Sequence, residues 1–295
     1  MIDNNPKISN SYAWLNGKKC DSLSCIPVSS RALWYGDGVF ETIATINGMP
    51  LKPTRHIERL RVGAASCDLD FPWSDDELLK EIYNASTYIK DRGVLRLMVY
   101  RGGNLGLHSQ GSTERLILLE PALNVPNQDF KEGLSVKLKM TSKNSLKTRK
   151  SLDWSDTIIA LRRAARQQFS DILWHDPDSG ILEASSSNVF FLGREGDLVE
   201  VATPPLNTGI LPGTTREILI ELLNSAKIPV TERQIFAEEL PRFDECFLTS
   251  SVRGLCPVTK IDNQNLFTLR KNSTFHHIHR LYQSWIRSQV GLFTD

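Results

Sequence analysis

The stretch Leu182-Glu183-Ala184-Ser185-Ser186-Ser187-Asn188-Val189-Phe190-Phe191 places one carboxylate, Glu183, before three serines and an apolar segment. Upstream of it, Lys150 stands in the context Lys-Ser-Leu-Asp-Trp. A glutamate before serines is more often an exposed strand end or a turn, and a lysine in a polar stretch is usually solvated. The two residues become informative only together with further segments of the chain.

A carboxylate and a lysine with this spacing suit one kind of chemistry. The carboxylate can pair with a pyridinium nitrogen, and the lysine can hold an aldehyde as a Schiff base. Those are the two protein groups that a pyridoxal phosphate enzyme needs most. Glu183 and Lys150 are therefore the first candidates for a cofactor site.

The composition predicts a neutral globular protein. Its 295 residues are 40% hydrophobic and 23% charged, which suffices for the core of one large domain or two ordinary ones. The 35 basic and 34 acidic residues give a net charge of +1, which provides no field for nucleic acid or an anionic membrane. No run approaches the roughly eighteen apolar residues that a membrane span requires.

The cysteines and the N-terminus indicate the compartment. The five cysteines are odd in number and none forms a Cys-x-x-Cys pair, so we expect reduced thiols and no metal site. The first residues lack a basic region followed by an apolar one, and no signal peptide is expected. These features predict a cytoplasmic protein.

Turn, capping and periodicity signals predict mixed helices and strands. Two Asn-Gly pairs, Asn16-Gly17 and Asn47-Gly48, predict hairpins, and Ser74 with Glu77 forms a capping-box pattern. Strands are expected over 13–15, 39–46, 93–100, 114–119, 134–140, 171–174, 189–192, 198–201 and 245–249, and helices over 56–69, 75–89, 153–169, 214–226 and 272–290. In the helix over 153–169, the residues expected to face inward are Ile158, Ile159, Leu161 and Ala165.

Two segments in the second half offer ligands for a phosphate. Gly209-Ile210-Leu211-Pro212-Gly213-Thr214-Thr215-Arg216-Glu217 is a glycine-bounded turn that enters a helix, where free amides and the dipole favour a phosphate. A plainly capped helix is the alternative. Leu248-Thr249-Ser250-Ser251-Val252-Arg253 offers hydroxyls at a strand end, which can donate to the same phosphate.

Two segments in the first half complete the set. Tyr35-Gly36-Asp37-Gly38-Val39-Phe40-Glu41-Thr42 places an aromatic hydroxyl and two glycines before a strand, where backbone can approach a ligand closely; an ordinary β-turn is the alternative. His56-Ile57-Glu58-Arg59-Leu60 places Arg59 near a helix start, as a solvated residue or as a phosphate clamp.

These segments, in this order, resemble the class IV family of pyridoxal phosphate enzymes, which includes D-amino-acid and branched-chain aminotransferases and aminodeoxychorismate lyase. The family pattern runs Y-G-D-G-V-F-E-T, H-x-x-R-L, K-[ST]-L-N, E-x-S-S-S-N-[VIL]-F, G-[IV]-L-x-G-[IV]-T-R and F-[LV]-T-[NGS]-[ST] followed by P-V. The matching segments cover residues 30 to 258 of this chain.

The resemblance implies a mixed α+β (α/β) fold of two domains, known as fold type IV. A small N-terminal α/β domain is expected over 1–121, an interdomain linker over 122–128, and a larger cofactor-binding domain over 129–295, β-barrel-like with flanking helices. The resemblance also implies a homodimer, since sites of this family lie between the two domains and borrow residues from the partner subunit.

Carried over by position, Lys150 becomes the Schiff-base lysine and the proton shuttle at the substrate α-carbon. Lys147 competes, but the sequence from Lys150 follows the family's K-S-L-N-Y-L-D-N-V-L-A without a gap. Glu183 would keep the pyridine nitrogen protonated, Leu211 would pack on the ring face, and Tyr35 would reach in beside the substrate. The implied ligands of pyridoxal 5'-phosphate are Lys150, Glu183, Arg59, Asn188, Leu211, Thr214, Thr215, Ser250 and Ser251.

The chain departs from the family pattern in two places. The family asparagine after the lysine is Asp153, and branched-chain enzymes usually have one more residue in this segment. The loop 101–108 resembles R-G-x-x-x-R-x-[YH], but its second arginine, which helps D-amino-acid transaminases trap the substrate carboxylate, is Gly106. D-amino-acid activity is therefore disfavoured, and Arg101, His108 and Arg253 remain candidates for binding the substrate.

Among the functions of the family, the short lysine segment and the Tyr35 motif look most like aminodeoxychorismate lyase, which releases pyruvate and 4-aminobenzoate for folate. An aminotransferase acting on branched-chain or related amino acids with 2-oxoglutarate is the alternative, and a non-catalytic binding protein is a third. The first two share every cofactor contact, so only the substrate separates them. A small molecule is the expected partner, with no nucleic acid and no membrane.

Overall fold

The computed structural model describes residues 11–22, 24–103, 106, 108, 111–122, 127–141, 149–195 and 198–291. The chain divides into two compact units. The first comprises Met1–Leu123 with Arg149–Asp153, and the second comprises Asn124–Thr148 with Trp154–Asp295. The segment with Lys150 thus groups with the first unit, whereas we expected it in the second domain. Within the described ranges, no helix is long and apolar enough to cross a bilayer.

The first unit contains a six-stranded sheet in the order β2-β1-β6-β5-β3-β4. Its strands are β1 (Tyr12–Leu15), β2 (Lys18–Cys20), β3 (Gly38–Ile46), β4 (Met49–Pro50), β5 (Arg92–Arg101) and β6 (Thr113–Pro121). Its helices are α1 (Arg31–Tyr35), α2 (Pro53–Ala65) and α3 (Asp75–Ser86). All the paired strands of this sheet are antiparallel, and Ser151 adds an antiparallel bridge to Val39 of β3.

The predicted turns and cap form because their residues supply the required geometry. In both Asn-Gly hairpins, Asn16-Gly17 and Asn47-Gly48, all four residues have positive φ, between 50° and 78°, as a two-residue turn between twisted strands needs. Ser74 and Glu77 close the predicted capping box at the start of α3.

The core of the first unit lies where α2 and α3 cover the sheet. It buries, among others, Ile43, Leu97, Ile57, Leu60 and Ile82.

The second unit contains a nine-stranded sheet in the order β12-β11-β10-β13-β14-β7-β8-β9, with β15 on β14. The strands are β7 (Leu134–Met140), β8 (Asp171–Asp176), β9 (Gly180–Ala184), β10 (Asn188–Glu195), β11 (Leu198–Thr203), β12 (Val230–Glu232), β13 (Phe243–Ser250), β14 (Gly254–Ile261) and β15 (Gln264–Asn265). The helices are α4 (Asn127–Glu132), α5 (Ser155–Ala165), α6 (Thr214–Ser225) and α7 (Thr274–Gln289). The pairs β7·β8, β7·β14 and β11·β12 are parallel.

The two faces of this sheet bury separate cores, because successive side chains of a strand point to opposite sides. On β10, Phe191 joins a core formed mainly by the strands themselves, including Val136, Leu173 and Leu248. Its neighbour Phe190 joins the other core, which α6 and α7 cover. The sheet is thus packed on both faces, and turns at the ends of its strands carry the candidate residues.

Two expectations are wrong. Helix α5 is shorter than predicted and buries Ala160 and Ala164, whereas Ile158 is 42% and Ile159 is 45% exposed. The small alanines, and not the isoleucines, pack closely on β8 through Ile172, and of the four residues predicted to face inward only the partly buried Leu161 joins this cluster. Reduced thiols were expected throughout, but Cys20 and Cys25 form a disulfide, because the turn after β2 brings their Cα atoms to 6.0 Å. Cys67, Cys246 and Cys256 are free.

Candidate active site

Lys150 lies on a short extended segment beside the start of β3. The amide of Phe40 donates to the carbonyl oxygen of Lys150 over 2.9 Å, and the amide of Leu152 donates to the carbonyl oxygen of Gly38 over 3.0 Å. The Nζ atom of Lys150 lies 4.8 Å from the centroid of the Phe40 ring. Main-chain bonds to β3 therefore fix this lysine within the first unit. Its competitor Lys147 lies outside the described residues.

Arg59 belongs to a buried charged cluster in the same unit. Its Nε donates to Oε1 of Glu41 and its Nη2 donates to Oε2, both over 2.7 Å. The Nδ1 atom of His56 lies 2.6 Å from the same Oε2. Glu41 and His56 are 1% and 2% exposed. We assigned no role to either residue from the sequence, although both stand in quoted motifs.

The protonation of this cluster follows from its contacts. Burial alone would raise the pKa of Glu41, but Arg59 and His56 outweigh burial and hold that pKa at about 2. Burial lowers the pKa of His56, and the positive charges of Arg59 and Lys150 act in the same direction against Glu41. Near neutral pH the cluster therefore holds an ionised carboxylate, a neutral imidazole and a guanidinium.

Tyr35 and Arg101 meet a second cluster of the first unit, around Asp37. Tyr35 ends α1 and is 45% exposed, and the Arg31 guanidinium lies 5.1 Å from its ring centroid. Asp37 accepts from Nε of Arg31 over 2.8 Å, and Nε of Arg101 lies 3.4 Å from it. Arg101 also donates from Nη2 to the carbonyl oxygen of Asp68 over 2.7 Å. Arg101, a predicted substrate residue, is thus already bound to Asp37 and Asp68 of its own unit.

His108 and Gly106 lie in the loop between β5 and β6. His108 is exposed. The carbonyl oxygen of Gly106 accepts from Nη1 of Arg31 over 2.5 Å. Position 106 therefore offers only backbone, and its carbonyl oxygen is bound by Arg31, which is 8% exposed.

In the second unit, Glu183 on β9 is held by two donors. The amide of Leu211 and Nδ2 of Asn188 each donate to its Oε2 over 3.1 Å. Nδ2 of Asn188 also donates to the carbonyl oxygen of Leu211 over 2.9 Å. Three of the predicted cofactor ligands thus form one hydrogen-bonded group, which links β9, β10 and the turn before α6.

The predicted phosphate ligands of this unit surround the start of α6. Gly213 is its N-cap and supplies no side-chain cap. Thr214 and Thr215 follow and are each 4% exposed. The Oγ1 atom of Thr214 lies 3.2 Å from Oγ of Ser251, so the helix start and the turn after β13 are in contact. Ser250 is the last residue of β13, and its Oγ accepts from the amide of Arg253 over 3.3 Å.

The side chain of Arg253 contacts the turn that follows Glu183. Its Nη2 lies 3.2 Å from Oδ2 of Asp171 and 3.3 Å from Oγ of Ser187. Asp171 is 2% exposed, and its Oδ1 also accepts from the amide of Ser185 over 3.3 Å. The arginine that we considered for a substrate carboxylate is therefore already paired with a buried carboxylate of the protein.

Residues 38–261 match the model of a family described as amino-transferase class IV. Over 258 residues the chain is 32% identical to a probable branched-chain-amino-acid aminotransferase of Thermotoga maritima, across 86% of this chain and 88% of that protein. Over 261 residues it is 29% identical to a D-alanine aminotransferase of Bacillus licheniformis, across 85% and 88% of the two chains.

Solved structures share the fold. A branched-chain aminotransferase from Thermoproteus uzoniensis, crystallised with norvaline, has a TM-score of 0.81 at 25% identity and covers 95% of both chains. The 4-amino-4-deoxychorismate lyase from Pseudomonas aeruginosa has a TM-score of 0.77 at 24% identity, across 95% of this chain and all of that one. The predicted mixed α/β fold of type IV is confirmed.

Proposed function

The chain belongs to the class IV aminotransferase family, whose cofactor is pyridoxal phosphate (PLP), and we propose that it transfers the amino group of a branched-chain or related apolar amino acid to 2-oxoglutarate. The observation that carries this proposal is the similarity to branched-chain aminotransferases, which reaches 32% identity over 86% of this chain for the Thermotoga maritima protein. The candidate residues support the dependence on PLP, because their chemistry matches each part of the cofactor.

The start of α6 suits a phosphate. Its amides are not capped by a side chain, because Gly213 has none, and the hydroxyls of Thr214 and Ser251 lie 3.2 Å apart beside them. Amides at a helix start together with hydroxyls form a typical phosphate site. The proposed phosphate ligands are Arg59, Thr214, Thr215, Ser250 and Ser251.

Glu183 and Leu211 suit the pyridine ring. When bound, PLP supplies an electron-withdrawing ring that stabilises negative charge at the substrate α-carbon. The Glu183 carboxylate would pair with the protonated ring nitrogen and keep its charge. Asn188 and the amide of Leu211 hold Oε2 of Glu183, so this carboxylate keeps its direction, and the Leu211 side chain would pack on the ring face.

Lys150 would hold the cofactor aldehyde and then move the proton at the substrate α-carbon. Its main chain is fixed on β3, so the side chain moves from a rigid base. The pKa of the nearby His56 is lowered by burial and by its positive neighbours, so that His56 adds no second charge beside the amine. Tyr35, exposed at the end of α1, would lie beside the substrate.

A D-amino acid is the less suitable substrate, although D-alanine aminotransferases are among the relatives. Position 106, where the resemblance places their carboxylate-binding arginine, is glycine, and its carbonyl oxygen already accepts from Arg31. A backbone carbonyl repels a carboxylate. Arg101, His108 and Arg253 remain proposed substrate residues, and Arg101 and Arg253 would have to exchange a protein partner for the substrate.

The second candidate function is 4-amino-4-deoxychorismate lyase. The short segment Lys150-Ser151-Leu152-Asp153 and the Tyr35 motif favour it. In that reaction Lys150 would take the α-proton, and elimination would release pyruvate and 4-aminobenzoate. The same residues would hold the cofactor.

Two parallel assays test the proposal. Purified protein with PLP is incubated with leucine, isoleucine, valine or D-alanine plus 2-oxoglutarate, and glutamate is measured. It is also incubated with 4-amino-4-deoxychorismate alone, and 4-aminobenzoate is measured. Glutamate from the L-amino acids supports the aminotransferase, whereas 4-aminobenzoate without any keto acid overturns it in favour of the lyase. Lys150→Ala should abolish either product.

We also propose that the protein is a homodimer, as the family resemblance implies. Sedimentation equilibrium of the protein with PLP tests this state. A single species with the mass of one 33.3 kDa chain at micromolar concentration would contradict it.

A further inference from the structure

We propose that Glu41 is the positioning residue that aims the Arg59 guanidinium at the cofactor phosphate. This inference rests on the proposed role of Arg59 as a phosphate ligand and adds a residue to which the sequence comparison assigned no role. Glu41 lies on β3 and Arg59 on α2, 18 positions apart, so the two elements are joined at this point.

The pairing of the two side chains fixes the plane of the guanidinium. Two parallel bonds of 2.7 Å join Nε and Nη2 of Arg59 to the two carboxylate oxygens of Glu41. A bidentate pair of this kind specifies orientation as well as distance, which a single contact does not. Nη1 takes no part in the pair, so the edge of the guanidinium that carries it has a defined direction.

His56 in turn fixes the orientation of the Glu41 carboxylate through a hydrogen bond. Its Nδ1 lies 2.6 Å from Oε2, the oxygen that also accepts from Nη2 of Arg59. With its pKa held at about 2, Glu41 stays ionised and accepts from both partners. The carboxylate is almost fully buried, and rotating it would break contacts on both sides.

One strand thereby positions two proposed cofactor ligands. The amide of Phe40 holds the main chain of Lys150, and the next residue along β3, Glu41, holds Arg59. The arrangement therefore indicates a role in placing cationic groups around the phosphorylated aldehyde.

The test compares PLP with pyridoxal, which lacks the phosphate. Apo forms of the full chain are prepared as wild type, Glu41→Gln and Glu120→Gln, and the Kd of each compound is measured by absorbance titration. Glu120 is a matched control, since it pairs with Arg96 in the same sheet with 37% of its side chain exposed. Glu41→Gln should raise the Kd of PLP about tenfold to a hundredfold and change the Kd of pyridoxal less than about twofold. Glu120→Gln should change neither.

A double-mutant cycle asks whether Glu41 acts through Arg59. Arg59→Ala should lose the preference for PLP over pyridoxal, and adding Glu41→Gln to it should change the Kd of PLP by less than about twofold. Equal losses for PLP and pyridoxal in Glu41→Gln, or full additivity with Arg59→Ala, would overturn the proposal.

Folding and cofactor binding are controlled separately. If Glu41→Gln does not fold, judged by circular dichroism, Glu41→Asp replaces it, because it keeps the charge but shortens the reach. Glu41→Asp with wild-type preference for PLP, or failure of both variants to fold, would contradict the proposal. Wild-type protein that binds no PLP would overturn the proposed function itself, and this inference with it.

Discussion

The side-chain oxygen of Asn188 occupies the place where a Cβ atom on Gly213 would lie. An ideal Cβ at Gly213 falls 1.9 Å from Oδ1 of Asn188, far below any real contact. The same asparagine donates to Glu183 and to the carbonyl oxygen of Leu211. The missing side chain at Gly213 therefore lets β10 approach the start of α6.

Gly213→Ala should weaken the binding of PLP. The added methyl group would push Asn188 away, and Glu183 and the α6 amides would shift with it. We expect the Kd of PLP to rise about tenfold, measured by absorbance titration of the apo protein. Gly63→Ala is the control, since its Cβ meets no atom closer than 3.5 Å. Wild-type affinity in Gly213→Ala would contradict the role of this contact.

Glu183→Gln should reduce turnover more than it reduces stability. The amide oxygen can still accept from Asn188 and Leu211, but the negative charge proposed to face the ring nitrogen is lost. We expect kcat to fall roughly a hundredfold to a thousandfold, with Tm within a few degrees of wild type, in steady-state assays and thermal unfolding. Glu200→Gln, which changes a side chain that pairs with Arg233 and is 35% exposed, should leave kcat unchanged. Unchanged kcat in Glu183→Gln would refute the proposed role.

His279 should make the protein less stable as pH falls. Its ring packs on Phe130 and Phe275, at centroid distances of 4.4 and 5.8 Å. Burial, with a smaller effect of His276, lowers the pKa of His279 from 6.5 to about 4. Since the unfolded chain binds this proton first, stability is lost from about pH 6.5 down to about pH 4.

Urea unfolding at a series of pH values measures this loss. His279→Phe should flatten the dependence between pH 6.5 and pH 4, because the titrating group is gone. His277→Gln, exposed on the same helix, should keep the wild-type slope. Equal slopes in His279→Phe and wild type would show that another group is responsible.

The buried face of α5 can be tested by substitution. Ala164→Leu should lower the free energy of unfolding by roughly 1–3 kcal/mol, because Ala164 is 3% exposed and the larger side chain overpacks the contact with β8. Ile158→Gln should change it by no more than about 0.5 kcal/mol. Chemical denaturation of both variants gives the comparison. A larger loss of free energy of unfolding in Ile158→Gln than in Ala164→Leu would show that Ile158 faces inward, as the sequence predicted.

Local signals in the sequence were sufficient to predict those turns and helix ends whose geometry depends on one or two residues. The Asn-Gly turns and the Ser74 capping box are confirmed because positive φ and a side-chain cap are properties of those residues themselves. Strand β9 escaped prediction because it has only five residues, bounded by Gly180, and no alternating pattern. Helix α1 escaped because a single turn shows no periodicity.

Contacts between distant elements could not be predicted in the same way. Apolar residues of α5 fit helical spacing on more than one face, and only the closeness of β8 selects Ala160 and Ala164. In the candidate site, the motifs named Glu183, Asn188 and Leu211 as cofactor ligands, but the hydrogen bonds that join the three could not be predicted from them. The partners of Arg59, Arg101 and Arg253 were invisible, because Glu41, Asp37 and Asp171 lie far from them along the chain.

Residues Arg149–Asp153 group with the first unit although they lie far beyond its other residues along the chain. This matters for chimeric proteins in which the first unit is exchanged between two relatives. A swap that treated the first unit as one continuous N-terminal segment would leave out Lys150, the proposed Schiff-base lysine. The lysine would then remain on the backbone of one protein while its partner strand β3 came from the other. An exchange of specificity between relatives must therefore carry two inserts, the N-terminal piece and this five-residue return.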